Sequence, residues 1–570
     1  MKKKITSLSA VLALFAIFNF TACGQSADFT PGTFIGVGPG LYGPIVVEVA
    51  MPSANTISAI RVISHDETHN TGNIPLEILP RLIVENQSLQ VDLIAGATIS
   101  SMAFMVAVHD ALSTAGASPA SFTGPAVQYV PHADTTADVV VIGAGGAGMT
   151  AAIHAAMEGS NVILLERLAF VGGTSNYILE GFGSVGSITH SVLGTGVTPA
   201  ALAQILATNN PNGIPAAFQV LAQNNGWAAN WLRSIGSPMT VSSGPAVVQT
   251  SREVGEIGVA MVSALRHEAL RVGVDLRVNS RATELIMEDG AVAGVRVSTR
   301  MGDYTIRAPA VILATGGFAA NNALVAQHFP ALAGYGSASS PGNTGDGHLM
   351  AQAVGALLTN MDHIRVNYTY ATAPNGYFYY VASIVNTGGI LINGSAQRFM
   401  NDQIGFPGGH IARVQEGPLW MVFDNALRDG IREVRRLGDL GMFVTSDTLE
   451  GLVQQMGLNQ AAFMNTIENY RAFAAAGVDG AFGRPLVNMS FDRPPFHALQ
   501  VHVRVQGTFG GVNTNLETEV MGTDGNIIPG LFAAGEVADE GTWGQNPAAV
   551  NIVFGRIAGL NAAAFAAASN

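Results

Sequence analysis

Asp138-Val-Val-Val-Ile142-Gly143-Ala-Gly145-Gly-Ala-Gly148 leads into a helix-like stretch to Glu158 and then into Asn161-Val-Ile-Leu-Leu-Glu166, and this passage decides the fold. Val139–Ile142 is a short apolar run that suits a strand buried on both faces of a parallel sheet. Gly143 permits the tight turn after it. Gly145 lets backbone approach a pyrophosphate, and Gly148 lets helix pack on strand. The helix N-terminus then faces the phosphates with a partial positive charge. Glu166 stands 23 residues after Gly143, where an acid bonds ribose hydroxyls. The spacing predicts a βαβ unit with Gly143, Ala144, Gly145, Ala147, Gly148 and Glu166 around a dinucleotide.

Outward from this unit, Ala310-Val-Ile-Leu-Ala314 reads as a third buried strand, capped by Thr315-Gly316-Gly317. Leu531-Phe-Ala-Ala-Gly535-Glu536 reads as another, just before a C-terminal helix. Residues 356–504 are richer in Tyr, Arg and Met and form an inserted domain. Residues 28–118 read as a small α+β unit. Its strands are expected at Pro44–Met51 and Ile57–Ser64 and its helices at Pro75–Glu85 and Ser101–Ala115, with Phe34–Gly43 glycine-rich. Residues 119–136 are small, polar and Pro-containing, as in a linker.

The 570 residues are 48% hydrophobic and 12% charged, which suits more than one buried core. A net charge of -13 argues against nucleic-acid binding, which needs clustered Lys and Arg to neutralise phosphates. Lys2, Lys3 and Lys4 precede an apolar run from Leu8 to Phe20, so residues 1–22 read as a signal peptide. Thr21-Ala22-Cys23 resembles a bacterial lipobox. That implies lipidation at Cys23 and an anchor on the cell membrane facing a periplasm or the exterior. Cys23 is the only cysteine, which excludes intrachain disulfides, Cys-ligated iron–sulfur clusters and Cys-x-x-Cys-His haem attachment. No metal site is expected.

After Glu166 comes Arg167-Leu-Ala-Phe-Val-Gly172-Gly173-Thr174-Ser175. This resembles the second glycine pair of the FAD-binding fumarate reductase and succinate dehydrogenase flavoprotein superfamily. Ala314-Thr315-Gly316-Gly-Phe318, Asn343-Thr-Gly-Asp346-Gly347, Ala533-Ala-Gly535-Glu536-Val537 and Phe554-Gly-Arg-Ile-Ala-Gly559 continue the match over residues 137–570. The resemblance implies an α/β FAD-binding, Rossmann-like domain of the glutathione reductase type, residues 137–355 and 505–570, with an inserted α+β capping domain at 356–504. It implies non-covalent FAD, with Glu536 and Asn551 near the ribityl and flavin ring. Ser64-His-Asp-Glu-Thr68 and Val91-Asp92-Leu-Ile-Ala-Gly96-Ala97-Thr98-Ile-Ser-Ser101 resemble an FMN-binding domain, which implies FMN joined to Thr98 by a flavin transferase.

The substrate side departs from the family pattern. Arg365 replaces a Gln and Asn367 a His. Val381 and Ala382 fall where a Thr-Glu pair binds carboxylate, and Phe406 lies nearest the proton-donating arginine. Gln506 replaces another His, and Trp543 or Thr542 the last clamping arginine. The remaining candidates for binding or proton donation are Arg365, Tyr380, His410 and Arg504, with His363, Arg413 and the run Tyr377-Phe-Tyr-Tyr380 beside them. Three functions are consistent with this. One is an enoate reductase resembling urocanate or aryl-acrylate reductases, fed through FMN and FAD by a membrane quinol oxidoreductase or a carrier. The others are a ketosteroid-type dehydrogenase and an electron-transfer lipoprotein with a degenerate pocket.

Overall fold

The computed structural model describes residues 29–41, 43–67, 72–94, 97–122, 132–178, 182–193, 197–237, 240–241, 247–249, 257–372, 378–403, 417–542 and 547–569. The chain divides into two compact units, residues 1–129 and 130–570.

In the first unit, strands β1 (Gly32–Pro39), β2 (Pro44–Met51) and β3 (Ala59–Ser64) form an antiparallel sheet in that order. Ile45, Val47, Val49 and Met51 alternate on one face of β2 and are buried. They pack with Leu79 and Ile83 of helix α1 (Ile74–Asn86) and with Phe104, Val108 and Leu112 of helix α2 (Thr98–Thr114). The glycine-rich stretch, not read as a strand in sequence, is β1. Its glycines are demanded by contact: a Cβ on Gly36 would lie 1.9 Å from the carbonyl oxygen of Ala107, and one on Gly38 1.9 Å from that of Ala103. The helix lies directly on strand backbone. It also begins three residues before the expected Ser101, so Thr98 opens its first turn. Phe122 is buried in this core and its carbonyl accepts from the Leu89 N–H, so the unit runs past residue 118.

The second unit is built on β4 (Val139–Ile142), helix α3 (Gly146–Met157), β5 (Val162–Leu165), β6 (Asp275–Arg277) and β7 (Ala310–Leu313). An inserted antiparallel sheet follows: β8 (Ile364–Thr372), β9 (Phe378–Tyr380), β10 (Ile390–Ile392), β11 (Leu419–Asp424) and the long β12 (Phe496–Thr508), in the order β9-β8-β12-β11-β10. The chain then returns through β13 (Glu519–Met521) and β14 (Ile527–Ala533) to helix α4 (Pro547–Ser569). The first sheet runs β6-β5-β4-β7-β14-β13 and is parallel except for β13. All four residues of β4, β5 and β7 are buried, as their continuous apolar runs require.

Helix α4 is 23 residues long and apolar, and it lies on α3. A Cβ on Gly555 would stand 2.6 Å from the Ala147 carbonyl oxygen, and one on Gly559 2.3 Å from that of Ala151. Two glycines one turn apart let the helix backbones touch. A buried ion pair ties the inserted domain together. Arg484 Nη1 lies 3.0 and 3.1 Å from the two oxygens of Asp402, and the guanidinium also donates to the Val385 and Leu486 carbonyls.

Substituting Gly559→Ala is expected to push α4 off α3 and cost about 1–3 kcal/mol, as overpacking of a tight interior does. The check is the thermal midpoint of the purified protein, which should fall.

Candidate functional site

A cavity of about 450 Å³ opens at the carboxyl ends of β4 and β7. The turn after β4 lines it with Gly143, Gly145, Gly146 and Ala147. Gly143 has φ +103°, and a Cβ there would lie 2.4 Å from the Ala314 carbonyl oxygen. A Cβ on Gly148 would lie 1.8 Å from the Gly143 carbonyl oxygen, so α3 starts hard against the strand. At Gly145 the nearest atom to such a Cβ is the Gly172 carbonyl oxygen at 3.8 Å. That space lies over the first N–H groups of α3, where a pyrophosphate is held. Ser175 Oγ accepts the Gly146 N–H at 3.1 Å and stands 3.5 Å from Asn551 Nδ2, which ties the second glycine pair to α4.

Of the residues read as ligands in sequence, Gly143, Gly145, Ala147, Glu166, Arg167, Gly173, Thr174, Ser175, Ala314, Thr315, Gly316, Asp346, Glu536 and Asn551 all line this cavity. Ala144, Gly148 and Gly172 stand behind it. The Ala144 N–H donates to Glu166 Oε2 at 3.1 Å, and its carbonyl accepts from the Gly172 N–H at 2.7 Å. Gly146, missed in sequence, also lines it.

The carboxylates here are held in different ways. Burial pushes Glu166 up from 4.5 to about 7, although it accepts from the N–H groups of Leu168 and Ala144. Burial also raises Glu536, which accepts from the Thr508 N–H at 2.9 Å and from Asn343 Nδ2 at 3.1 Å. Asp346 is lowered despite its burial, because Arg281, Thr344 and Arg167 all surround it. Asn343 Oδ1 and Gln506 Oε1 are buried without a hydrogen-bond partner and belong to cavity-lining residues. They are acceptors open to the donors of a polar ligand. The open space at Gly145 and these two acceptors fit a flavin dinucleotide.

Arg365, Tyr370, Tyr380, Gln506 and Phe509 line the same cavity. Arg365 lies over the Phe509 ring, 4.6 Å from its centroid. Tyr370 and Tyr380 pair across β8 and β9, with ring centroids 5.6 Å apart. Burial pushes the Tyr370 phenol well above its ordinary value, so it stays protonated. Tyr370 went unread in sequence. In a regular strand, positions 365 and 370 point to opposite faces. The β8–β12 register shifts between Arg365 and Val366 and again between Asn367 and Tyr370, which brings both residues to the cavity.

Other candidates are placed elsewhere. Arg504 does not line the cavity. Gly336 leaves room for its guanidinium, which donates to the Ser337 carbonyl at 3.2 Å and to Thr372 Oγ1 at 3.4 Å. Asn367 is buried, and its Oδ1 accepts from the Thr369 N–H and hydroxyl. His363 packs on Phe509 behind the cavity, and burial with the nearby Arg365 charge pushes it down to about 4. Val381 and Ala382 are core residues. His410, Arg413, Phe406, Tyr377, Trp543 and Cys23 lie outside the described residues.

In the first unit, Thr98 is exposed. The capping position of α2 is Ala97, so Thr98 is not the N-cap. Beside it, the Ser100 hydroxyl donates to Glu67, which also accepts the Leu41 N–H at 2.6 Å. Among the described residues there is no cluster of His, Cys, Asp and Glu able to hold a metal.

Comparison with known families matches residues 138–553 to the FAD binding domain and residues 40–113 to the FMN-binding domain. The chain is 32% identical to a "Fumarate reductase (cytochrome)" of Shewanella frigidimarina, covering 77% of this chain and 79% of that one. It is 31% identical to a "Urocanate reductase" of Eggerthella lenta, covering 96% of this chain and 94% of that one. The solved open conformation of a flavocytochrome c3 fumarate reductase superposes with a TM-score of 0.67 at 30% identity, covering 76% of this chain and 79% of that one.

Replacing Glu166→Gln should weaken FAD binding about 10- to 100-fold, the loss of a hydrogen bond to a charged acceptor at roughly 1.5–3 kcal/mol. Titration of apoprotein with FAD reads it. The same variant tests a pH effect. With Glu166 at about 7 when folded and 4.5 as its ordinary value, the folded state holds the extra proton in that window. Glu166 therefore contributes a loss of stability as pH rises from about 4.5 through 7. Apoprotein melting points compared across pH should fall less steeply in Glu166→Gln.

Proposed function

Because the chain belongs to the fumarate reductase and succinate dehydrogenase flavoprotein superfamily, whose relatives here are FAD-dependent oxidoreductases acting on C=C or CH–CH bonds, we propose that it reduces the C=C bond of an enoate other than fumarate. The residues around Gly145 would hold FAD, which would supply a hydride, and Thr98 would carry FMN, which would supply electrons. The observation that carries the reading is the convergence of Arg365, Tyr370, Tyr380 and Phe509 on the cavity that holds the dinucleotide cradle.

Arg365 offers a planar fork to one carboxylate, with the Phe509 face holding its guanidinium in place. Pairing that carboxylate draws off its negative charge and makes the distant alkene carbon a better electrophile. In the family pattern two histidines that clamp a dicarboxylate are replaced by Asn367 and Gln506, and its carboxylate-binding Thr-Glu pair by the core residues Val381 and Ala382. One carboxylate partner with three aromatic rings suits a planar monocarboxylate of the urocanate or aryl-acrylate kind. The Tyr370 phenol is a hydrogen-bond donor there at any ordinary pH. A charged wall residue also favours an anion over an uncharged steroid.

The charged n-region, the apolar run and Cys23 support export and lipid anchoring on the outer side of a membrane. A flavin transferase and a membrane quinol oxidoreductase or small carrier would then serve as maturation and electron partners. The exposed first-turn position of Thr98 supports attachment by such a transferase.

Reduced viologen should be reoxidised by aromatic enoates in the presence of the purified protein. No reoxidation across an enoate panel, with a saturated ketone instead reducing an added acceptor, would sink the enoate reading. Arg365→Met should raise KM for the enoate at least about 10-fold with FAD retained, in line with a lost charge-assisted hydrogen bond. Thr98→Val should remove one FMN from the intact mass of protein made beside a flavin transferase, while FAD stays bound.

A further inference from the structure

Four carboxylic acids line the cavity: Glu166, Asp346, Glu536 and Glu540. Three of them have at least one donor brought in from a distant segment of the chain. Glu166 has two backbone N–H groups, Asp346 has Arg167 and Arg281, and Glu536 has the Thr508 N–H and the Asn343 amide. Glu540 differs. Its side-chain partner is the hydroxyl of Thr542, two residues along, at 2.5 Å, and among the described residues no cation faces it. Asp539 beside it adds a like charge. The residue is 7% exposed. Burial pushes it up to about 7, so it holds its proton below that pH.

Glu540 lines the same cavity as Arg365, Tyr370 and Tyr380, and its segment is held from both sides. Ala538 and Asp539 pair with Val512 and Asn513. Asp539 Oδ2 accepts from the Thr359 hydroxyl at 2.6 Å and from Asn360 Nδ2 at 2.7 Å. Asn360 lies just before β8, which carries Arg365, and its carbonyl presses on Gly510, next to Phe509. On the far side the Gly541 carbonyl accepts the Ile214 N–H at 2.9 Å. Gly213–Ile214, Thr359–Asn360 and Val512–Asn513 bring no titratable side chain, so Asp539 is the one charged neighbour among the described residues.

We propose that Glu540 is the general acid of this enzyme, giving its carboxyl proton to the alkene carbon next to the substrate carboxylate. The step balances with a reduced flavin as the two-electron donor. A C–H bond forms at the far alkene carbon from hydride, and the π pair takes the proton as the Glu540 O–H bond breaks. The carboxylate left behind regains a proton from solvent, with the Thr542 hydroxyl bonded to it. This assignment rests on the enoate reading. It answers the loss of the family's proton-donating arginine, whose nearest counterpart in this chain is Phe406.

Glu540→Gln keeps the shape and the Thr542 contact but has no acidic proton. With an enoate that the wild type reduces, its kcat should fall about 10²- to 10⁴-fold. KM, FAD content and melting point should stay close to wild type, and the wild-type fall in rate above about pH 7 should vanish. Infrared difference spectra of wild-type holoenzyme should show a protonated carboxyl band that titrates near pH 7 and is missing in the variant. A variant that keeps wild-type kcat and pH profile overturns the assignment, as does one that loses FAD. A wild type inert toward every enoate sinks the enoate reading. The infrared band still decides whether Glu540 is an acid near neutrality, and its absence from wild type overturns the assignment independently.

Discussion

Direct backbone contact around helix α3 is the constraint on which the rest of the second unit depends. Its first turn presses on the turn after β4 through Gly148, and its outer side meets α4 through Gly555 and Gly559. Each contact leaves less than 3 Å for a side-chain carbon, so each is open only to glycine. The result is a helix N-terminus set close to the ends of β4 and β7, with space left over Gly145. The same contact fixes α4, and with it Asn551, beside Ser175. One packing event thus builds both walls of the dinucleotide end.

The substrate end is built by a different device, interrupted strand pairing. Strand β8 faces β12 with two register shifts, and those shifts turn Arg365 and Tyr370 to the same side. A regular ladder would have sent one of them into the inserted domain's core. The cost of a broken ladder falls on a strand held on both sides, by β9 and β12. The strand is tied to the buried Arg484–Asp402 pair through the Tyr368 hydroxyl, which donates to the Asp402 carbonyl at 3.2 Å.

Polar groups inside the cavity divide by how they are answered. Those at the cradle accept from backbone N–H groups or face arginines, and so are fixed in place for binding. The tyrosines, Arg365 and Glu540 stand at the segments tied to β8 and its neighbours. Burial without compensation raises the affinity of a carboxyl for its proton and keeps a phenol neutral. Arg365 beside the phenols of Tyr370 and Tyr380 and the amide of Gln506 is chemically unlike a ring of arginines and histidines.

The sequence by itself determined the dinucleotide cradle, because every element of it is local. A four-residue apolar run, three glycines at set intervals and an acid after the next strand lie within Val139–Glu166, and the structure places that stretch as expected. The glycine pair Gly172–Gly173 and Glu536 were legible through the family resemblance of their motifs. The resemblance to an FMN-binding domain also pointed to Thr98, although the helix starts earlier than periodicity implied and β1 was hidden by glycines that a helix, not a turn, requires. Arg365 and Tyr380 were legible only as candidates, equal in standing to Arg504, which the fold holds elsewhere through the gap at Gly336. Tyr370 and Glu540 were not legible at all. Their place depends on two register shifts and on pairing between segments far apart in the chain, and neither leaves a periodic trace in sequence.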